Sequence, residues 1–331
     1  MELSKHLKAF IQTMPKLDLH CHIDGSFSTE FIRNVSKSTL MEHELKKLLQ
    51  APPDCASLAE YLTCFDLPIS CMQTFTDITD GVTDVLHQAA EENVKYIELR
   101  FAPTCSVNEN LSYQDVIEAA IDGCKLGKEM YGIDSGIILC AMRHHDIETN
   151  LKVLSYGREY LGSGVCALDL AGDEAAFDNN GFRELFLEAR RLDMPFTIHS
   201  GECGSSDNVR LALEFGAKRV GHGIALIKDP ELMKLCKESR LGLELCPTSN
   251  FQTRAVTSKD AYPLRAFLNY GLPATVNTDN RTVSNTSITN EFEFIADSFD
   301  IREEDLITLY KNNVEISFAN DNVKNNLLSL I

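Results

Sequence analysis

The chain has 331 residues, of which 44% are apolar, and a formal net charge of −18 at pH 7. This negative charge repels phosphate backbones and anionic lipids, and no compact lysine or arginine cluster offsets it, so neither nucleic acid nor a membrane is expected as a partner. No run is apolar and long enough to span a bilayer, and no signal peptide is recognised. The 11 cysteines are scattered singly without a Cys-x-x-Cys pair, which predicts free thiols and a cytoplasmic location.

Short β-rich runs alternate with longer helical segments, as in βα units around a parallel sheet. Eight strands are predicted, at Lys16–His20, Val94–Phe101, Ser135–Arg143, Val165–Leu170, Pro195–His199, Arg219–Val220, Leu241–Leu245 and Ala274–Asn277. Helices are predicted at Tyr113–Tyr131, Thr149–Tyr160, Gly181–Leu192, Ser206–Phe215, Asp229–Glu238 and Tyr262–Tyr270. The pattern predicts an α/β fold, a (β/α)8 TIM barrel, with residues 1–331 as a single domain.

One connection is too long for a simple crossover. About seventy residues follow the first strand, and the predicted insertion covers roughly residues 26–92. Within it, Leu58, Tyr61, Leu62 and Phe65 follow the i, i+3, i+4, i+7 spacing of one helix face. Periodicity alone favours packing against the barrel wall. A hydrophobic lid is the alternative, because insertions after barrel strands lie at the catalytic face.

Polar residues gather at the predicted strand ends. In a parallel barrel the carboxyl ends of the strands surround the active-site mouth. Four of the nine histidines and two further polar residues lie at or just past such ends, namely His20, His22, His199, His222, Asp279 and Asn280. A single histidine of this kind would be an ordinary buried or surface residue. Several at successive strand ends indicate a metal site.

The His20-x-His22 pair places two imidazoles on one face of its strand, because side chains alternate with period two. A third nitrogen from His199 and an oxygen from Asp279 would complete a zinc site with one position left open for water. Glu202 follows His199 by three residues and could act as a general acid, although most loop glutamates are merely solvated. The glycines beside His222 permit close approach, and its spacing leaves open whether it binds the metal or polarises the water.

Seven segments, taken in order, resemble the adenosine deaminase family of the amidohydrolase superfamily. They run through nearly the whole chain, and the ordered set is far more specific than any one of them. The segments are Lys16-Leu-Asp-Leu-His-Cys-His-Ile-Asp-Gly25, Glu98-Leu-Arg-Phe-Ala-Pro103, Ala167-Leu-Asp-Leu-Ala-Gly-Asp-Glu174, His199-Ser-Gly-Glu202, Gly221-His-Gly223, Cys246-Pro-Thr-Ser-Asn250 and Asn277-Thr-Asp279.

The resemblance implies hydrolytic deamination of a purine nucleoside, with adenosine as the expected small-molecule substrate. It implies one Zn²⁺ per chain, a proton donor to purine N1, a residue that orients and deprotonates the attacking water, and contacts to ribose and base. It also favours the lid over wall packing. The residues it assigns are His20, His22, His199 and Asp279 for zinc, Glu202 and His222 for proton transfer, Asp24 and Gly172 for ribose and purine, and Leu58, Tyr61, Leu62 and Phe65 for the lid.

Asn280 departs from the family pattern, in which a second aspartate often hydrogen-bonds to purine N7. Since N7 is an acceptor, an aspartate must be protonated to donate to it, whereas asparagine already carries N–H donors. Asn280 is therefore compatible with purine binding and could alter base preference.

Other functions match the sequence less well than deamination of adenosine. Adenine deaminases of this type usually carry a glutamate where this chain has Asp24, and the shorter side chain leaves room for a sugar. A binuclear amidohydrolase commonly bridges its metals with a lysine after the fourth strand, where this chain has Asp169-Leu-Ala-Gly-Asp173. Cytidine-type deaminases need His-x-Glu with Pro-Cys-x-x-Cys, which the chain lacks. A non-catalytic barrel would have lost ligands that are all present. The sequence does not indicate an oligomeric state.

Overall fold

Eight parallel strands form the centre of the molecule. The computed structural model describes residues 4–52, 55–203 and 205–331. Within these ranges the strands are β1 (Lys16–His22), β2 (Val94–Phe101), β3 (Asp134–Met142), β4 (Val165–Ala171), β5 (Thr197–Ser200), β6 (Arg219–His222), β7 (Gly242–Leu245) and β8 (Ala274–Val276). All of the predicted strands are present, and the main difference is that β1 and β6 extend to His22 and His222.

Two backbone seams close these strands into a ring. Strands β1 to β4 pair in chain order as one sheet, and β5 to β8 pair in chain order as another. At one seam, Leu168 forms a parallel bridge with Phe196. At the other, Asp279 N donates to His20 O at 2.8 Å and His22 N donates to Asp279 O at 2.7 Å. The predicted TIM barrel is confirmed, and its second seam is made by three of the proposed metal ligands.

Helices surround the strands. They are α1 (Lys5–Thr13), α2 (Thr29–Ser36), α3 (Glu42–Leu49), α4 (Leu58–Leu62), α5 (Asp66–Ser70), α6 (Phe75–Glu91), α7 (Tyr113–Tyr131), α8 (Ile147–Glu159), α9 (Arg183–Arg191), α10 (Ser206–Phe215), α11 (Pro230–Glu238), α12 (Pro247–Gln252), α13 (Leu264–Tyr270), α14 (Ile288–Ser298), α15 (Glu303–Ile316) and α16 (Asp321–Leu328). The predicted helices at Tyr113–Tyr131 and Ser206–Phe215 have the observed bounds, and the other four differ at their ends.

The long connection after β1 has two parts. Helix α6 packs against α7 as part of the barrel wall, and the contact is close because α7 presents glycines to it. A Cβ atom on Gly123 would lie 2.6 Å from Val82 Cβ. Helices α2 to α5 precede α6, so the additional segment is shorter than the predicted insertion at 26–92. A large apolar core joins the strands to the outer helices, and it supports the single-domain interpretation, which stays a prediction.

A layer of charged side chains fills the barrel interior beneath the strand ends. Arg219 lies 2.6 Å from both Glu98 and Glu244, and Arg100 donates to Asp169 at 3.0 Å and to Glu244 at 2.9 Å. All five residues are fully buried. Because each buried ion would cost several kcal/mol without a partner, this layer is stable only as a complete set.

No helix within the described parts of the chain combines the length and the apolar character needed to cross a membrane.

Candidate metal centre and substrate cavity

Three histidines and one aspartate converge at the top of the barrel. His22 Nε2 and His199 Nε2 are 3.3 Å apart. Asp279 Oδ1 lies 3.4 Å from His20 Nε2 and 3.5 Å from His22 Nε2. The Nε2 atom of His20 is buried and has no hydrogen-bond partner in the described structure. A shared metal ion would explain this arrangement of four ligand atoms better than hydrogen bonds among the four side chains would.

Carboxylates hold the opposite edges of two of these imidazoles. His20 Nδ1 lies 2.8 Å from Glu244 Oε2, and His199 Nδ1 lies 2.9 Å from Asp169 Oδ2. Arg100 contacts both carboxylates, so one guanidinium links the two supports. A carboxylate on the far nitrogen of a histidine is the usual support of a metal ligand, because it fixes the ring and its tautomer.

A second group of possible ligands overlaps the first. Cys246 and His222 lie close to His20 and Asp279 and could hold an ion with them. We favour the set of His20, His22, His199 and Asp279. Burial raises the pKa of the Cys246 thiol well above its ordinary value, which disfavours the thiolate that binds metals, and this thiol contacts Glu244 O instead.

Unusual backbone conformations shape the centre. His222 and Asp279 adopt left-handed φ angles of 62° and 60°, which cost on the order of 1–3 kcal/mol each in non-glycine residues. Gly221 lies beneath the imidazoles, and a Cβ atom there would be 3.0 Å from His20 Cε1 and 3.2 Å from His199 Cα. The glycine beside His222 therefore provides the close approach that the sequence predicts.

A cavity of about 360 Å³ opens above the metal centre, within the size range of small-molecule sites. It includes nearly every residue predicted to act in catalysis or binding, and His20 lies beneath it. The predicted residues in its lining are His22, Asp24, Leu58, Tyr61, Leu62, Phe65, Gly172, His199, Glu202, His222, Asp279 and Asn280.

The four predicted lid residues all line this cavity, although they do not belong to one helix. Helix α4 ends at Leu62, and Phe65 lies in the following 3₁₀ turn. Tyr61 packs against Val283 in a small apolar cluster, and its hydroxyl lies 2.6 Å from Ser284 Oγ. The segment thus contacts the loop that follows Asp279 and Asn280, rather than the barrel wall.

Glu202 and His222 face each other across one side of the cavity. Glu202 Oε2 lies 3.5 Å from His222 Nε2, and Thr253 Oγ1 donates to Glu202 Oε1 at 3.3 Å. Burial, then the negative charges of Asp279 and Glu174, raise the pKa of Glu202 to about 8. A carboxyl with this pKa is mostly protonated at neutral pH, as a proton donor must be.

Asn250 sets the protonation of His222. Asn250 Nδ2 donates to His222 Nδ1 at 3.0 Å, and Tyr262 Oη donates to Asn250 Oδ1 at 3.3 Å. This network assigns the imidazole proton to Nε2, the nitrogen that faces the cavity. Burial lowers the pKa of His222 well below its ordinary value, so the ring is neutral at pH 7.

Three predicted substrate contacts lie around the rest of the cavity. Asp24 is 9% exposed, and burial raises its pKa to about 7. Gly172 has a φ of 104°, which few other residues could adopt. Asn280 Oδ1 is buried and without a hydrogen-bond partner in the described structure. A side chain at Gly25 would collide with this oxygen, so the glycine makes room for Asn280.

The supporting residues were not predicted as part of the site. Asp169, Glu244 and Glu174 were given no role from the sequence. One sequence signal could have identified Glu244. It is a carboxylate within the apolar strand Gly242-Leu-Glu-Leu245, and a buried charge of this kind must have a partner.

The chain is similar to known proteins over nearly its whole length. The sequence profile of the adenosine deaminase family matches residues 15–331. An adenosine deaminase from Enterococcus faecalis is 39% identical over 319 residues, covering 95% of this chain and 95% of that protein.

Solved structures share the fold. An adenine deaminase from Arthrobacter aurescens gives a TM-score of 0.87 at 23% identity, covering 96% of this chain and 98% of that one. An amidohydrolase from Burkholderia ambifaria with bound zinc gives 0.89 at 20% identity, covering 99% and 92%. At these identities the likeness establishes the barrel fold alone.

We expect His199→Ala to abolish tight binding of a divalent metal, because it removes one of the four converging ligand atoms. His144→Ala is the matched control, since His144 lines the same cavity outside the ligand set. Metal per chain, measured by mass spectrometry after dialysis, should fall toward zero in the first variant and stay at the wild-type value in the second. Equal metal content in both variants would contradict the assigned centre.

Proposed function

The chain belongs to the adenosine deaminase family, and from this we propose that it converts adenosine and 2′-deoxyadenosine to the corresponding inosines with release of ammonia, a purine salvage reaction. It is a hydrolytic deaminase enzyme. The observation that carries the proposed mechanism is the position of Glu202. This protonated carboxyl lines the same cavity as His22, His199 and Asp279.

The metal we propose is zinc, one ion per chain, held by His20, His22, His199 and Asp279. Three imidazole nitrogens with one carboxylate oxygen form a donor set that suits zinc and leaves room for a water molecule or substrate. When bound, zinc would lower the pKa of a water molecule from ~15.7 toward ~7 and so supply hydroxide at neutral pH.

Glu202 would donate its proton to purine N1 as the attacking oxygen adds to C6. Protonation prevents negative charge from building up on the ring while C6 becomes tetrahedral. Thr253 donates to one carboxyl oxygen and His222 Nε2 lies 3.5 Å from the other, so the buried side chain has little freedom before the substrate arrives. This preorganisation is what general acid catalysis requires.

His222 would orient the attacking water through its Nε2 atom, and Asp279 would accept the water proton and pass it to the leaving amine. Asn250 leaves the Nε2 proton of His222 directed at the cavity, where it can donate to the water oxygen. Asp279 provides the acceptor. Burial favours the protonated form of this carboxyl, but the hydrogen bond and charge of His20 outweigh burial and hold its pKa below the ordinary value.

The remaining side chains would select the substrate. Asp24 would contact the ribose, the Gly172 amide would contact the purine, and an N–H of Asn280 would donate to N7. The segment with Leu58, Tyr61, Leu62 and Phe65 would act as a lid that excludes bulk water and strengthens the electrostatic contacts inside.

Adenine or a modified adenosine is the alternative substrate. Asp24 favours a nucleoside, because its short side chain leaves space beside the base. We also propose a cytoplasmic location. All 11 cysteines are free, and eight of them are buried, as expected in a reducing compartment.

Ultraviolet absorbance tests the proposed function directly, because adenosine and inosine absorb differently. The purified protein should convert adenosine and 2′-deoxyadenosine much faster than adenine or AMP. Treatment with a chelator should abolish turnover, and added zinc should restore it. Faster conversion of adenine than of adenosine would overturn the assignment of the substrate.

Glu202→Gln should lower kcat by about 10²–10⁴-fold while zinc content stays at one ion per chain, because the amide cannot donate a proton as an acid. The matched control is Glu214→Gln on the exposed side of α10, which should keep wild-type kcat. Steady-state kinetics and metal analysis on the same samples provide the measurement. A Glu202→Gln enzyme with wild-type turnover would rule out the acid role.

Asn280→Ala should raise the KM for adenosine about tenfold or more with little change in zinc content, since one hydrogen bond to the base is lost. KM and zinc per chain are measured together. Parallel losses of zinc and affinity would show that Asn280 supports the metal centre instead of binding the base.

A further inference from the structure

One buried carboxylate holds the backbone that carries the proposed proton donor. Glu174 lies in the loop after β4 and is 5% exposed. Its Oε1 accepts from Gly201 N at 2.6 Å, and its Oε2 accepts from Glu202 N at 2.9 Å and from Cys203 N at 3.1 Å. Three consecutive amides of the loop after β5 therefore bind a single side chain.

A second connection fixes Glu174 itself. Asn208 Nδ2, from the first turn of α10, donates to Glu174 Oε1 at 2.8 Å. The same Asn208 accepts from Asn179 N at 3.0 Å, and Asn179 Nδ2 donates to Ser200 Oγ at 2.8 Å. The carboxylate thus belongs to a buried network that joins the loop after β4, the end of β5 and α10.

Gly201 allows the chain to turn around the carboxylate. Its φ of 73° lies in the left-handed region, and a Cβ atom there would be 2.8 Å from Val209 Cγ2. With Gly201 in this conformation, successive N–H groups point to the same side and form a concave anion site. Here this anion site, formed by the amides of residues 201–203, binds the Glu174 carboxylate of the same chain.

We propose that Glu174 is a positioning residue for catalysis, which holds Glu202 at the distance and angle needed to protonate the substrate. The proposal rests on the proposed function of Glu202. Glu174 is absent from the lining of the substrate cavity, so its effect must pass through the Glu202 backbone.

The strength and placement of these bonds support the proposal. Hydrogen bonds to an ionised acceptor are about twice as strong as neutral ones, and here one of them joins the Glu202 amide itself. A displacement of about 1 Å in a catalytic group can cost roughly 10²-fold in rate. The Glu174 charge also contributes to the raised pKa of Glu202, after burial and Asp279.

The variant Glu174→Gln tests this role, because glutamine keeps the shape but turns an N–H group toward backbone donors. We expect kcat for adenosine to fall about 10- to 100-fold, with KM changed less than about twofold and zinc retained. The matched control is Asp84→Asn. Asp84 also holds a loop backbone, because it accepts from Ser28 N at 2.7 Å, but it lies away from the cavity. Both variants should lower the melting temperature, and Asp84→Asn should leave kcat near the wild-type value.

A double-variant cycle separates positioning from general stability. In a Glu202→Gln background, Glu174→Gln should cause no further loss of kcat, because no proton donor remains to be positioned. A further loss of 10-fold or more would overturn the proposal, as would an unchanged kcat in the single variant or an equal loss in Asp84→Asn.

Amide hydrogen exchange distinguishes failure of this proposal from failure of the proposed function. Exchange at residues 201–203 should accelerate in Glu174→Gln without any substrate present. An inactive wild-type enzyme would contradict the proposed function alone. Unchanged exchange at these amides would contradict the positioning role whatever the substrate proves to be.

Discussion

The contact of Arg100 with both Asp169 and Glu244 is the interaction on which the site depends. Each carboxylate contacts the Nδ1 atom of one histidine that we propose as a metal ligand, so one guanidinium supports the orientation of both rings. The same contact balances charge where water cannot reach, since all three residues are fully buried. Stability and function therefore share these residues. The layer resists change because removing one charge leaves the others unpaired.

The closing seam of the barrel adds a second constraint. The backbone of Asp279 bonds to His20 and His22 across the gap between the last strand and the first, so closure of the barrel brings these three proposed ligands together. Left-handed backbone at Asp279 and His222 turns these side chains into the mouth. The surrounding strands hold these two residues in the strained conformation.

Local patterns predicted the strands and the convergence of the candidate metal ligands. Strands follow from the alternation of side chains within one segment, and the candidate ligands follow from their positions at strand ends. His20, His22 and His199 could be named since strand ends in a parallel barrel meet at one face. The break between α4 and Phe65 was missed, because a 3₁₀ turn preserves nearly the same spacing as a helix. Glu174 and Glu244 had no predicted role, since their partners lie 27 and 224 residues away and no local rule connects them.

Gly25 and Asn280 are separated by most of the chain but share one space. A side chain on Gly25 would occupy the position of the Asn280 amide oxygen, so each residue limits what the other can be. Any change at residue 25 therefore requires a smaller or differently placed side chain at residue 280. A library that diversifies residue 280 should keep residue 25 as glycine, because glycine leaves the most space for the new side chain.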